Sequence, residues 1–287
     1  MKLAVICTYF NFVGYERPRA NLQRFLRQME REGVSVFGLE MLVPGQQAAT
    51  KEFANWTRVT LNPANQLLWQ KEAALNLVAK RVPAEFTHFA WCDTDIWFQN
   101  PRWVEETLEA LDTHDVVQMF QFARWEGRNG DIVLARPSSA CVKLDHRWSS
   151  HTGFAWATSR EFWERMGGLY DRVLSGGGDV IFSLTFAGTH IWSQVGRHLG
   201  RNRTLFDRWS EKVCGVKVGF TRGAVIHAWH GEIDHRDYAG RRDRVLDIDA
   251  VEDIAVASNG LLKWADTVSK ETIKTLADYF QARKEDG

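Results

Sequence analysis

The sequence predicts an α/β fold, a mostly parallel central sheet flanked by helices. Short apolar runs alternate with segments of helical period from Leu3 to Phe122, the pattern of strand–helix units that wind into a parallel sheet. The chain has 287 residues, 45% of them hydrophobic and 25% charged. That is a globular composition, at a length where roughly three quarters of the unfolded surface is buried without staples. No internal repeat and no linker interrupts it. Residues 1–250 are therefore expected to form one domain, and residues 251–287 a helical C-terminal extension packed on it or partly exposed.

The elements follow in order. Leu3–Cys7 is an apolar run followed by a polar segment, a first buried strand. Pro18–Gly33 places Leu22, Phe25, Leu26 and Met29 at helical spacing, with Gly33 as the stop. Val34–Leu42 alternates like a strand. Asn65–Val82 reads as one helix ended by Pro83, and Phe86–Cys92 as the next strand. Pro101–Leu111 opens with proline at a first helical turn, and Asp115–Phe122 is a further strand. Ala123–His151 is loop-rich and polar, an expected surface excursion. Thr152–Asp171 reads as strand, helix and glycine break, and Ser175–Gly188 as a glycine cluster opening a helix. Gly223–Leu246 reads as a strand followed by a basic helix, and the tail from Ser269 as an amphipathic helix.

Charge and cysteine use exclude several classes. Lys plus Arg is 36 and Asp plus Glu is 36, so there is no global attraction to nucleic acid or to an anionic membrane. Cys7, Cys92, Cys141 and Cys214 match no CxxC spacing. The N-terminal apolar run is too short for a signal peptide, and no stretch approaches the ~20 apolar residues of a membrane span. A cytoplasmic, reducing location without membrane attachment is expected. Most of the 13 tryptophans are expected in the core; Trp156 and Trp229 lie within motifs and are the candidates for a pocket wall.

Three constellations carry chemistry. Asp93 and Asp95 end the buried strand in "HFAWCDTDIWF". Paired carboxylates at a strand's carboxyl end are either solvated or hold a divalent cation, and hard oxygen ligands suit magnesium or manganese. His227 and His230 in "VIHAWHGE" end another apolar strand. Either histidine alone is most simply a core or surface residue. With the aspartates, the pair argues for a metal and moves the preference toward manganese. In "SGGGDVIF", Gly176, Gly177 and Gly178 leave room for close backbone approach, and Asp179 sits at a helix start. Asp179 is there an N-cap or a general base.

The order of these motifs resembles the GT-A glycosyltransferases, most nearly the β-1,4-galactosyltransferase type, over Leu3 to Leu246. "WQKEAALN" is similar to the family's nucleotide-contacting segment, and "WCDTD" to its metal-binding DxD. "TGFAWATSREFWERMGGLYD" is similar to its Gly-Gly-Val strand and Asn-Gly-Phe turn. "SGGGD" stands where the family has Gly-Trp-Gly-Gly-Glu-Asp, without the tryptophan and with Gly178 in place of the glutamate. "HAWHGEIDHRDY" resembles phage and bacterial glycosyltransferases with a His-x-Trp-His-Gly pattern and a later Arg-x-Tyr. The resemblance implies a GT-A fold, a nucleotide-sugar donor that is UDP-linked, and Mn2+ or Mg2+ as cofactor. It implies Asp95 as a direct metal ligand, Asp93 at the ribose or a metal-bound water, and His227 or His230 completing the coordination. It implies donor contacts from Trp69, Lys71, Gly177 and Gly178, with Thr8 and Arg17 at the uridine pocket, and Asp179 as the catalytic base of an inverting transfer.

Three function classes compete. A metal-dependent glycosyltransferase uses every constellation. A nucleotidyltransferase or phosphohydrolase also uses DxD and a cation, without the glycine–aspartate element. A noncatalytic sugar-binding module needs no paired metal ligands. The acceptor implied by the phage-like resemblance is a hydroxymethylated pyrimidine in DNA; a glycan or protein acceptor is the alternative. Gly196–Arg222 carries Arg197, Arg201, Arg203, Arg208, Lys212, Lys217 and Arg222 against Asp207 and Glu211, either a phosphate-contacting face or a solvated loop.

Overall fold

A computed structural model describes residues 1–144, 149–174, 176–188, 196, 198–232 and 240–287. In chain order come β1 (Leu3–Phe10), α1 (Glu16–Arg31), β2 (Ser35–Leu42), β3 (Trp56–Thr60), α2 (Lys71–Ala79) and β4 (His88–Cys92). There follow β5 (Ile96–Phe98), α3 (Trp103–Leu111), β6 (Val116–Gln118), β7 (Phe122–Glu126) and β8 (Ile132–Pro137). Next are β9 (Ala155–Ser159), α4 (Arg160–Met166), α5 (Gly178–Phe186) and a helix over Thr204–Val213. The last part holds β10 (Val218–Phe220), β11 (Ala224–His227), a short helix over Gly240–Asp243, β12 (Ile254–Val256), β13 (Leu262–Trp264) and a helix over Lys270–Ala282.

Seven strands form the central sheet in the order β10-β6-β9-β4-β1-β2-β3. All neighbours in it are parallel except β9, which runs antiparallel to β4 and to β6. The fold class is thus the expected one: a large, mostly parallel sheet with helices on both faces. β1 shows why. Ala4 and Ile6 point to one face and join a core with Leu75, Val78, Phe162 and Ile181. Leu3, Val5 and Cys7 point to the other and pack with Leu22, Phe25, Met29 of α1 and Trp103 of α3. A strand covered on both sides reads as a continuous apolar run, which is what makes it visible in sequence.

Several expected elements differ. β3 was not foreseen; its pattern of alternating burial is that of an edge strand. The helix expected over 65–82 begins only at Lys71: the carbonyl of Asn65 accepts from the Trp264 amide at 2.8 Å, and Gln70, whose side-chain Oε1 accepts from the Leu262 amide at 2.8 Å, holds a non-helical φ of −151°. The strand expected over Asp115–Phe122 splits between two sheets, β6 in the large one and β7 in a four-stranded sheet of order β5-β11-β7-β8. The expected surface excursion contains the β7–β8 hairpin of that second sheet. The C-terminal part is not only helical: β12 and β13 pair antiparallel, and Ile254, Leu262, Trp264 and Leu276 share a core with Leu68, Ala73 and Leu174. No helix among the described residues is long and apolar enough to cross a membrane.

Candidate active site

At the carboxyl ends of β1 and β4 lies a cavity of about 560 Å³. Strand register assembles its candidate metal-ligating corner. β4 ends at Cys92, and the Asp93 amide donates to the Phe154 carbonyl at 2.8 Å. The chain then turns into β5, which pairs antiparallel with β11 so that Ile96 faces His227. The Ala228 amide donates to the Asp95 carbonyl at 2.8 Å, extending that pairing. Asp95 is thereby delivered to the end of β11, where both histidines stand. Asp95 Oδ2 lies 2.9 Å from His230 Nε2 and 3.4 Å from His227 Nε2, and the two Nε2 atoms are 3.3 Å apart.

These three side chains fit a divalent cation. Their ligand atoms all lie within 4.8 Å of one another. Asp95 Oδ1 is buried and has no hydrogen-bond partner among the described residues, a cost that a bound cation removes. Burial alone would raise the Asp95 pKa, but His227 and His230 outweigh it and hold the carboxyl well below its usual range. One carboxylate with two imidazoles suits Mn2+ better than Mg2+. Asp93, expected beside Asp95 as a ligand, is not in the cluster found among the described residues; it forms an ion pair with Lys71. Burial opposes the Lys71 charge, yet Asp93, Glu72 and Asp179 together hold the ammonium above its usual pKa. Lys71 is therefore a fixed positive charge in the cavity wall.

The glycine run positions Asp179 in a way the sequence did not indicate. Gly177 precedes α5 with φ +92°, and a Cβ there would stand 2.5 Å from His198 Cε1. A Cβ on Gly178 would stand 2.2 Å from Glu72 Oε1. The space these glycines open is thus filled by protein side chains. Asp179, in the first turn of α5, accepts from Thr152 Oγ1 at 2.8 Å on Oδ2. Glu72 is buried, accepts from Trp69 Nε1 at 3.2 Å, and is pushed up to about 7 chiefly by burial, with Lys71 opposing. Trp69 lies just before α2 rather than on it, edge-on to Phe10 at 5.4 Å.

Thr8, Trp69, Lys71, Asp93, Asp95, Gly177, Asp179, His227 and His230 all line the one cavity. Gly178 sits behind its wall. Arg17 is exposed outside it: its amide donates to Asp286 Oδ1 at 2.8 Å, and its guanidinium covers the Trp229 ring at 5.3 Å. Trp156, expected at a pocket wall, is buried core stacked on Trp91, and Trp229 does not line the cavity. Arg197 and the Arg236–Tyr238 motif lie outside the described residues.

Four contributors went unread. Trp125 of β7 lines the cavity. Phe154 stacks on His227 at 4.9 Å and holds φ +76°, a left-handed conformation costly for a bulky residue. His151 packs on Phe154 at 3.8 Å and is pushed down to about 3, first by burial, so it is neutral. Its loop is clamped by buried Gln118, whose Nε2 donates to the His151 and Gly153 carbonyls at 3.0 and 3.3 Å. The fourth is the C-terminal pair Arg283 and Glu285, which also lines the cavity. Only Phe154 and His151 had a signal: Phe154 lies within the quoted stretch that starts at Thr152, and His151 directly precedes it.

Scanned against protein-family models and compared with curated proteins, the sequence gives no match. Among solved structures the chain is similar to Drosophila β-1,4-galactosyltransferase 7, in a mutant form with manganese, UDP-Gal and xylobiose. The identity there is 12%, over 66% of this chain and 63% of that one, with a TM-score of 0.38. The catalytic domain of the same enzyme with xylobiose aligns at 10% identity over 81% of this chain and 96% of that one, TM-score 0.39. A 4-diphosphocytidyl-2C-methyl-D-erythritol synthase from Anaerococcus prevotii aligns at 11% identity over 98% of each chain, TM-score 0.37.

Proposed function

We propose that the chain is a divalent-metal-dependent glycosyltransferase of the GT-A type. It would move a sugar from a UDP-linked donor to an acceptor hydroxyl, with inversion at the anomeric carbon. The observation that carries the reading is the meeting, in one cavity, of the Asp95–His227–His230 cluster, the Lys71 ammonium and the Asp179 carboxylate.

Each residue has work that its setting supports. Asp95, His227 and His230 would hold Mn2+, which would supply neutralisation of the charge on a diphosphate leaving group. Lys71 adds a second fixed positive charge on the same side. Asp93 keeps Lys71 in place through their ion pair and would contact the ribose. Trp69 offers an aromatic edge beside Thr8 for the nucleoside. Asp179 takes the acceptor proton as the hydroxyl attacks, with Thr152 fixing one of its oxygens. The acceptor approaches along Trp125, Leu134 and Arg136 of the β7–β8 hairpin. We take the acceptor to be a hydroxymethylated pyrimidine in DNA; Arg201, Arg203, Arg208, Lys212, Lys217 and Arg222 are exposed for phosphate contact, though none lines this cavity.

The test is incubation with UDP-sugars and Mn2+, with and without a hydroxymethylcytosine oligonucleotide. Release of UDP together with sugar on the oligonucleotide is expected. Sugar transfer to a glycan or protein instead would replace the acceptor; pyrophosphate release from a nucleotide and sugar phosphate would replace the reaction class.

A further inference from the structure

The metal ligand His230 uses only one of its ring nitrogens in the cluster. Its Nε2 faces Asp95 and His227, while its Nδ1 faces Glu285 Oε1 at 3.3 Å. Glu285 is 8% exposed, and a carboxylate so buried needs a partner. It has one in Arg283, whose Nη2 lies 2.5 Å from the same oxygen.

This segment is tied down on several sides. The Lys284 amide donates to Tyr15 Oη at 3.1 Å. Asp286 accepts the Glu16 and Arg17 amides at 3.1 and 2.8 Å, supplying the N-terminal cap that Tyr15 does not give α1. Gly231, with φ +85°, lets the segment come close, since a Cβ there would stand 2.6 Å from the Lys284 carbonyl oxygen. Residues 283–287 are therefore strapped across the end of β11, next to the histidines.

We propose that Glu285 is the positioning residue of the metal site: it accepts the Nδ1 proton of His230 and so presents Nε2 to the cation as a neutral donor. A metal-bound imidazole must carry its proton on the distal nitrogen, and a carboxylate there fixes both the tautomer and the ring plane. The strap is then part of the site, and Arg283 holds Glu285 in place. This inference rests on the metal reading of the preceding section.

The experiment is Mn2+ titration of the full-length chain by calorimetry, without nucleotide, for the wild type, Asp95→Ala, Glu285→Ala and Glu285→Gln. Pulsed electron paramagnetic resonance follows the nitrogen coupling of bound imidazole. Removing such an outer partner typically weakens metal affinity about 10–100-fold. Glu285→Ala is expected to lose that much and to weaken the coupling of one imidazole. Glu285→Gln keeps an acceptor oxygen and is expected to lose less. The wild-type protein supplies a check independent of folding: free of metal, it should already show His230 as the Nδ1–H tautomer by nitrogen–proton correlation NMR. If Asp95→Ala abolishes binding while both Glu285 variants bind as tightly as the wild type, or if His230 carries its proton on Nε2, the inference is wrong and the metal reading stands. If the wild type binds no Mn2+, or Asp95→Ala binds it unchanged, the metal reading itself fails.

Discussion

Replacing Gly178 with alanine separates two uses of the glycine run. If the glycine serves close approach of a donor, alanine should weaken donor binding and leave folding alone. The structure argues otherwise. Gly178 is the first residue of α5, so alanine gains at most about 1 kcal/mol of helix propensity. Its Cβ, however, would stand 2.2 Å from Glu72 Oε1, 2.8 Å from Cδ and 3.2 Å from Cγ. Overpacking of this kind costs about 1–3 kcal/mol. Glu72 cannot swing away freely, because it is buried and accepts the Trp69 indole proton; losing that contact costs about another 1–3 kcal/mol. The balance is a destabilisation of about 3 kcal/mol, a fall in Tm of roughly 6–12 °C for a chain of this size. The assay is a thermal and chemical denaturation cycle over wild type, Gly178→Ala, Glu72→Ala and the double variant. Removing Glu72 removes the clash, so the double variant should be more stable than additivity predicts by about 1–3 kcal/mol. Additivity within about 0.5 kcal/mol, or a Gly178→Ala protein as stable as the wild type, would refute the reasoning.

The remaining predictions concern charge. Asp179→Asn keeps the oxygen that accepts from Thr152 but loses basicity; transfer should fall about 10²–10⁴-fold with Mn2+ affinity unchanged, read from steady-state rates and calorimetry. The N-cap of α5 is Gly177 and no side chain caps it, so Asp179 is not the cap the sequence offered; transfer at the wild-type rate would leave it as a first-turn acid bonded to Thr152. Glu72, pushed up to about 7 by burial, is protonated when folded and ionised when unfolded between its usual pKa and 7. On this group alone, stability falls as pH rises through that window. Glu72→Gln removes the dependence, so its Tm relative to the wild type should be higher at pH 8 than at pH 4.5. An equal difference at both values would contradict the shift.

The sheet was legible because its strands are buried on both faces and read as apolar runs, as β1 and β4 do. The cluster that could hold a metal was legible for a related reason. Asp95 and the two histidines each break such a run at its carboxyl end, where an α/β sheet binds ligands. Other features had no such mark. Trp69 and Lys71 share a helix-compatible stretch, and the contacts that go with the later start, to the distant Leu262 and Trp264 amides, leave no local mark. Phe154 holds a left-handed backbone without being glycine or asparagine. Glu285 follows an amphipathic helix, and nothing local shows that the chain returns to β11. The β7–β8 hairpin is different: Asn129-Gly130 stands between its two strands and is a hairpin signal, one the reading of this stretch as a polar loop did not use.

The most direct test of the whole account is a single calorimetric comparison. Mn2+ is titrated into the wild type and into Asp95→Ala in the presence of UDP, and the same two proteins are assayed for UDP release from a UDP-sugar. The account predicts that the wild type binds the ion at one site and releases UDP only when it is present. It predicts that Asp95→Ala, still folded by circular dichroism, does neither. An Asp95→Ala protein that binds Mn2+ and turns over the donor like the wild type would contradict it.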